Sequence, residues 1–397
     1  MFFSELGLIP ELVKSCGYEK PTPIQLKAIP YILAGQDVIA GSQTGTGKTA
    51  AFALPLLHTL SKKRDSGHDP LGLVLTPTRE LAAQVGKSIH TYGRGLNIQH
   101  TVIFGGVPYK PQMKAFKRGI DILVATPGRL LDHVHQKTIN LSNVEHIVLD
   151  EADRMIDMGF IDDIKKLIEE TSVQRQIVMF SATYSREIKG LASTFLKNHV
   201  EVSIETSKKT VDSIEQKFVY TDSEKKRGVI SFLVGSNNWK QVLVFTKTKR
   251  GADKLAKQLT LDGLSSVAMH GNKSQAQRLK ALERFKKGAV RVLVATDVAS
   301  RGLDIYDLPH VINFDLPMIP EDYIHRIGRT GRAGASGEAL SLVSREDGRL
   351  LKSIERLLKT NFNLEIVSGF EPKKPDWSHR NSLNKKKRKR PLRNKYH

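Results

Sequence analysis

Ser42-Gln43-Thr44-Gly45-Thr46-Gly47-Lys48-Thr49 is the stretch whose reading decides the fold of this chain. It follows the apolar run Asp37-Val38-Ile39-Ala40, which reads as a buried parallel strand, and it precedes Ala50-Ala51-Phe52-Ala53-Leu54, which reads as the start of a helix. A strand, a glycine-rich turn and a helix are the setting of a phosphate-binding loop. Gly45 and Gly47 let the backbone curl without a Cβ clash. The loop amides then point inward, and the helix N-terminus adds its partial positive charge. Lys48 supplies a mobile cation for β- and γ-phosphates, and Thr49 a hydroxyl for Mg²⁺. The general pattern opens on glycine, where this chain has Ser42. An ordinary glycine-rich turn is disfavoured, because the Gly47-Lys48-Thr49 ending and the strand–helix context agree.

Outward from that loop, apolar runs alternate with helical stretches. The expected strands are Gly72–Thr76, Ile120–Thr126, His146–Asp150 and Gln176–Ser181, then Val242–Thr246, Ser266–His270, Val290–Thr296, His310–Asp315 and Ala339–Val343. Strands alternating with helices imply an α/β fold, a parallel sheet with helices on both faces. The polar run Glu205-Thr206-Ser207-Lys208-Lys209-Thr210 separates two such series. We expect an N-terminal domain over 1–205, a linker over 206–213, a second domain over 214–369 and a basic tail over 370–397. The halves share a layout without a residue-level repeat. His270-Gly271-Asn272-Lys273-Ser274 mimics a second phosphate loop, but no glycine precedes its lysine.

The chain has 397 residues, enough for two or three domains. No apolar run approaches the roughly 20 residues of a membrane-spanning helix, and the N-terminus lacks the layout of a signal peptide. The single cysteine, Cys16, excludes an internal disulfide and disfavours a cysteine-built zinc site. His133-Val134-His135 has no partners at zinc spacing and reads as surface. These features point to a cytoplasmic protein. The formal net charge is +21, with 62 Lys and Arg against 41 Asp and Glu. Such an excess calls for a polyanionic partner, nucleic acid before an anionic membrane. Glu371–His397 carries +9 of the total, on a composition that buries no core. The body, at +12, is basic as well.

A phosphate loop needs a carboxylate at a neighbouring strand end to hold Mg²⁺ through water. Ile147-Val148-Leu149 ends in Asp150-Glu151-Ala152-Asp153. Asp150 is placed as the metal-side carboxylate and Glu151 to polarise the attacking water; a plain helix cap is the alternative. The word Asp-Glu-Ala-Asp resembles the DEAD-box RNA helicases of superfamily 2, and the resemblance extends over roughly residues 3–365. Gly17-Tyr18-Glu19-Lys20-Pro21-Thr22-Pro23-Ile24-Gln25 is similar to the family's Q motif. Pro77-Thr78-Arg79-Glu80-Leu81, Gly105-Gly106, Thr126-Pro127-Gly128-Arg129 and Ser181-Ala182-Thr183 resemble motifs Ia to III. Val244-Phe245-Thr246, Ala295-Thr296-Asp297 with Arg301-Gly302-Leu303-Asp304, and His325-Arg326-Ile327-Gly328-Arg329-Thr330-Gly331-Arg332 resemble motifs IV to VI, and the stretch around Gln277 is close to the family's Gln-x-x-Arg region, with its register left open. The wording is most like the bacterial RhlE-type subgroup.

The resemblance implies two tandem RecA-like domains, ATP and Mg²⁺ as cofactors, and RNA-stimulated ATP hydrolysis that locally unwinds short duplexes or remodels RNA–protein complexes. Gln25 has the donor and acceptor to read an adenine edge, and Phe3 would stack near the base. Ser42, Gln43, Thr44, Gly45, Thr46, Gly47, Lys48 and Thr49 would cradle the phosphates, and Asp304 would meet the ribose. Arg329 and Arg332 would be arginine fingers. Ser181, Thr183, His325 and Arg326 would couple hydrolysis to strand separation. Pro77, Thr78, Arg79, Gly105, Gly106, Thr126, Gly128, Arg129, Gly271, Thr296 and Arg301 would contact RNA, mostly at phosphate and sugar. Ribosomal-precursor or mRNA-decay assemblies fit as settings, with no membrane and a monomeric core. The run Lys385-Lys386-Lys387-Arg388-Lys389-Arg390 also spells a nuclear address; with this core it reads better as a nonspecific RNA-binding tail. A noncatalytic RNA clamp and a DNA translocase are the rivals.

Overall fold

Short apolar runs bounded by polar turns form the centres of two parallel sheets. The structure, a computed structural model, describes residues 2–41, 46–62, 69–181, 186–203, 214–300, 308–331 and 337–373. The first sheet comprises β1 (Val38–Gly41), β2 (Gly72–Leu75), β3 (His100–Ile103), β4 (Ile122–Ala125), β5 (His146–Leu149), β6 (Gln176–Ser181) and β7 (Val200–Ser203). Its strand order is β3-β4-β2-β5-β6-β1-β7. The second comprises β8 (Ile214–Tyr220), β9 (Val242–Phe245), β10 (Ser266–Met269), β11 (Val292–Ala295), β12 (His310–Asn313), β13 (Gly337–Val343) and β14 (Leu364–Glu365), in the order β10-β11-β9-β12-β13-β8-β14. Shifting every strand number by seven converts the first order into the second. The two halves are one topology built twice, without a residue-level repeat.

The chain divides into two compact units at residues 207–208. The expected linker, 206–213, lies outside the described residues. Within the first unit, successive residues of each central strand serve opposite cores. Val38, Ala40, Val74, Val148, Val178 and Phe180 pack on one face, and Ile39, Leu73, Leu75, Ile147, Leu149, Ile177 and Met179 on the other. A sheet buried on both faces needs apolar residues without alternation, and this is why those strands read as continuous runs. Phe52 of the helix Lys48–Ser61 meets Phe180 of β6 at 5.6 Å between ring centroids, fixing that helix on the sheet.

β3, β7, β8 and β14 were not anticipated from the sequence. β3, β7 and β14 stand at sheet edges, and their residues are mostly partly exposed and polar. Residues 370–373, which fall in the stretch expected to be the basic tail, are in contact with the second unit. Phe370 packs on Phe232 at 5.9 Å, Thr221 Oγ1 donates to the Phe370 carbonyl at 2.9 Å, and Lys373 N donates to Asp222 Oδ2 at 2.9 Å. An aromatic ring that finds an apolar surface outweighs a charged neighbourhood. Residues 374–397 lie outside the described residues. Among the described residues no helix is long and apolar enough to cross a membrane.

Candidate functional site

Strand order gathers the singled-out residues of the first unit along one edge of its sheet. β5, β6 and β1 are neighbours. Their C-terminal ends bring Asp150-Glu151, Ser181 and the approach to the phosphate loop side by side, the open-sheet position where ligands bind outside the strand ends. Gly41 and Ser181 are direct partners in register. Ser42, Gln43, Thr44 and Gly45 lie outside the described residues, as do Thr183, Arg301, Asp304 and Arg332. Gly47 stands at φ +89° immediately before the helix Lys48–Ser61, and Thr46 and Thr49 are half-buried beside it.

Gln25 is 3% exposed. Its Nε2 donates to the Gly47 carbonyl at 3.0 Å and its Oε1 accepts from Thr22 N at 2.7 Å. The amide expected to read a base edge is thus first a tie between its own segment and the phosphate loop. Phe3, expected to stack near the base, is 1% exposed and part of the core. Tyr18, an exposed aromatic, lies beside it, with ring centroids 6.5 Å apart.

Lys48, Asp150 and Glu151 are all buried. Burial pushes the Asp150 carboxyl up to about 7; Lys48 pulls it down, and Glu151 and Asp153 add like-charge repulsion. Asp150 Oδ1 and Glu151 Oε2 are buried without a hydrogen-bond partner. Glu151 adopts φ 53°, ψ 51°, left-handed backbone that costs a non-glycine residue ~1–2 kcal/mol. This turns the chain sharply between β5 and the helix Ala152–Asp157. Arg154, which the sequence reading did not single out, has its Nε 3.5 Å from Glu151 Oε2, both side chains nearly buried. A divalent cation fits these residues. It would relieve an orphaned carboxylate oxygen and a carboxyl that burial drives towards protonation. Among the described residues no cluster of three or more histidine, cysteine or carboxylate ligands is assembled, so such a cation would take its remaining ligands from phosphate and water.

The other half of the same edge carries a second set. β3, β4 and β2 are neighbours, and the segments after them are Gly105-Gly106, Thr126-Pro127-Gly128-Arg129 and Pro77-Thr78-Arg79. Thr78 caps the helix Arg79–Tyr92, its hydroxyl accepting from Leu81 N at 3.3 Å. Gly106 stands at φ +77°, and a Cβ there would fall 2.1 Å from Arg79 Nη1. Arg79 therefore lies flat on the glycine. Arg129 is mostly buried. Its Nη1 donates to Val107 O at 3.0 Å and Gln112 Oε1 at 3.2 Å, and its guanidinium sits 4.2 Å from the Tyr109 ring centre. Arg129 thus holds the loop after Gly106. His133, expected at the surface, is fully buried: its ring nitrogens meet Thr138 Oγ1 at 2.7 Å and Gln112 Oε1 at 3.0 Å. Two apolar neighbours in its helix, Leu130 and Leu131, gave the usable sign of that face. His135 is exposed.

In the second unit β10, β11 and β9 are neighbours, and Gly271 and Thr296 follow β10 and β11. Gly271 is exposed and Thr296 buried. Arg326, on the helix Pro320–Ile327, is 2% exposed. It grips Asp297 through Nε at 2.6 Å and Nη2 at 2.7 Å, and its Nη1 donates to Asn313 Oδ1 at 3.0 Å and the Asp315 carbonyl at 2.6 Å. Such a bidentate, fully satisfied pair is rigid. Asn313 is a further residue that the motif words did not mark, and Asp297, quoted within them, had been given no role. His325 is half-buried on the same helix, and Arg329 is buried just after it.

Comparison with known proteins gives a concordant result. Residues 22–191 match the DEAD/DEAH box helicase model, and residues 224–334 match the helicase conserved C-terminal domain. The chain is 43% identical over 360 residues to the DEAD-box ATP-dependent RNA helicase CshA of Bacillus cereus, covering 90% of this chain and 68% of that protein. It is 41% identical over 360 residues to the Bacillus subtilis protein of the same name, covering 90% and 72%. Among solved structures, Saccharomyces cerevisiae Dbp5 bound to RNA and ADP BeF3 aligns with a TM-score of 0.81 at 31% identity, covering 97% of this chain and 99% of that chain. A DEAD box protein of Methanococcus jannaschii aligns with a TM-score of 0.53 at 40% identity, covering 94% and 99%. These relatives carry the name CshA, and the RhlE-type likeness drawn from motif wording is not supported.

Proposed function

The chain belongs to the DEAD-box ATP-dependent RNA helicases, and on that premise we propose how its own residues divide the work. The first sheet offers two adjoining sets along one edge. Lys48, Asp150, Glu151 and Ser181 form the hydrolytic set; Pro77, Thr78, Arg79, Gly105, Gly106, Thr126 and Gly128 form the RNA-binding set. That adjacency, imposed by the order β3-β4-β2-β5-β6-β1, carries the reading. ATP enters against the phosphate loop. Lys48 offsets phosphate charge, and Gln25 sets the position of Gly47 as well as meeting the base. Tyr18 takes the stacking role first assigned to Phe3, which props it from the core.

Thr49 and Asp150 would hold Mg²⁺, largely through water; when bound, it offsets charge on the phosphate oxygens. Glu151 accepts the proton of the attacking water, with Arg154 holding its carboxylate in place. Arg329 and Arg332 stabilise the charge that develops on the transferring phosphate. Asp304 meets the ribose. Ser181, Thr183, His325 and Arg326 couple the two sets. Backbone amides at Gly105, Gly106, Gly128 and Gly271, with Arg79, Thr296 and Arg301, contact phosphate and sugar, so base preference is weak. Arg129 acts by holding the glycine loop. The product is a locally unwound short duplex or a remodelled RNA–protein complex. We place the activity in the cytoplasm, on ribosomal precursors or decaying mRNA, with a monomeric core.

The test is phosphate release with and without single-stranded RNA, with DNA at matched salt as the control. RNA stimulation that exceeds DNA stimulation, and that Lys48→Ala abolishes together with ATP binding, is expected. Release that ignores RNA would leave a noncatalytic clamp. Equal stimulation by DNA would leave a translocase.

A further inference from the structure

β10 ends the second sheet, pairing with β11 alone. The carbonyls of Ser265 and Met269 accept from Val292 N and Thr296 N of β11. Ser266 and Ala268 have the opposite parity, so their backbone N–H and C=O groups face away from the sheet. They face a groove of about 520 Å³, walled by the helices Lys249–Leu261 and Gln275–Lys286. The groove carries four cations: Lys257 on one wall, Lys280 and Arg284 on the other, and Lys273 at its mouth. Its one acid, Asp253, is already engaged by His270 Nε2 at 2.9 Å and Lys273 Nζ at 2.8 Å. Lys257, Lys280 and Arg284 are exposed. Lys280 and Arg284 are four residues apart on one helix face, a rise of about 6 Å.

The groove begins two residues beyond Gly271, a proposed RNA contact at the C-terminal end of β10, and runs down the side of the sheet. Among the described residues no aromatic side chain lines it, so it provides phosphate neutralisation without base stacking. The outward Ser266 carbonyl already accepts from Thr260 Oγ1 at 3.5 Å, which leaves the outward Ala268 carbonyl to suit a ribose 2′-hydroxyl, a donor that deoxyribose lacks. We infer that this edge groove is a second track for single-stranded RNA, continuing the strand beyond Gly271 and gripping it by phosphate and ribose. The inference rests on the helicase reading above. It gives the protein a sequence-independent hold on RNA flanking the segment it unwinds.

The test is the triple variant Lys257→Gln, Lys280→Gln, Arg284→Gln. Glutamine keeps helix propensity at exposed positions. Matching melting curves would establish that it folds; otherwise the single reversal Lys280→Glu serves. Affinity is measured for a short oligouridylate that fills only the core site and for one extended at both ends. For the long probe the variant should lose about tenfold or more at low salt, with a log–log salt slope shallower by about 2, given ~0.7 per phosphate contact on a single strand. Affinity for the short probe, and its stimulation of ATP hydrolysis, should not change. Unchanged long-probe affinity, or equal losses on both probes, would overturn the track. An oligoglutamate peptide that binds the wild type but not the variant, while RNA binding is unmoved, would assign the groove to an acidic protein partner instead. Wild-type protein that the short probe fails to stimulate would count against the helicase reading itself. Retained stimulation without a length effect counts against the track alone.

Discussion

Gln25 donates its side-chain N–H to the Gly47 carbonyl at 3.0 Å, and a Cβ on Gly47 would stand 2.4 Å from that same Nε2. The glutamine and the phosphate loop are therefore one mechanical unit. Gly47→Ala should expel Gln25 and also strain a backbone at φ +89°. ATP affinity should fall in both Gly47→Ala and Gln25→Ala, and in the second the preference over GTP should relax. Titration of the two nucleotides against each variant checks this; unchanged ATP affinity and preference in Gln25→Ala would remove the glutamine from nucleotide selection.

Glu151→Gln should keep shape and ATP affinity while deleting the base. Loss of a general base costs ~10²–10⁴-fold in turnover. Single-turnover hydrolysis beside equilibrium ATP and RNA binding separates the two effects, and wild-type turnover would end the assignment of Glu151.

Asp150 gives a pH signature in protein free of nucleotide and divalent cation. Its carboxyl sits at about 7 in the fold, against 3.8 for an aspartate free in water. The folded state thus holds the proton more tightly than the unfolded state. Its contribution is fully favourable below about pH 4 and is lost as pH rises to about 7, by at most ~4 kcal/mol. Asp150→Asn escapes that loss. The variant should melt above the wild type at pH 8, with the gap closing towards pH 4, while ATP hydrolysis disappears. Parallel melting profiles across that range would disprove the burial argument.

Arg326→Ala leaves Asp297 without its bidentate partner and Asn313 Oδ1 without its donor. Removing one member of a buried pair costs ~3–5 kcal/mol. Chemical denaturation of the isolated variant should show that loss in the transition reporting on the second sheet. Arg326→Lys should recover little, since a lysine cannot span both carboxylate oxygens.

Truncation after Lys373 removes +9 of charge and leaves the Phe370 contact with Phe232 in place. RNA affinity should fall and its salt slope flatten by ~0.7 per lost contact, with turnover at saturating RNA nearly intact. Truncation after Gly369 should in addition destabilise the second unit by about 1–2 kcal/mol, because a half-buried aromatic is lost. Superimposable salt slopes for full-length protein and the Lys373 truncation would make the tail idle.

By itself the sequence determined the class of fold, the central strands and the chemical words. β1, β2, β4, β5, β6, β9, β11 and β12 are buried on both faces, and local composition must then be apolar throughout, which is legible. Phosphate chemistry demands a glycine turn ending in Lys48-Thr49 and a carboxylate at a strand end, so those were legible too. Tertiary structure alone decided the rest. The edge strands β3, β7 and β14 are specified by pairing with a neighbour more than by their own residues, so their mixed composition concealed them. Gln25 is turned towards Gly47, Phe3 is sealed in the core and His133 is buried against Gln112, because those outcomes depend on what long-range packing brings beside them. Adjacency of the two sets proposed for hydrolysis and for RNA follows from strand order, a property of how crossovers are laid on a sheet, and no stretch of residues spells it.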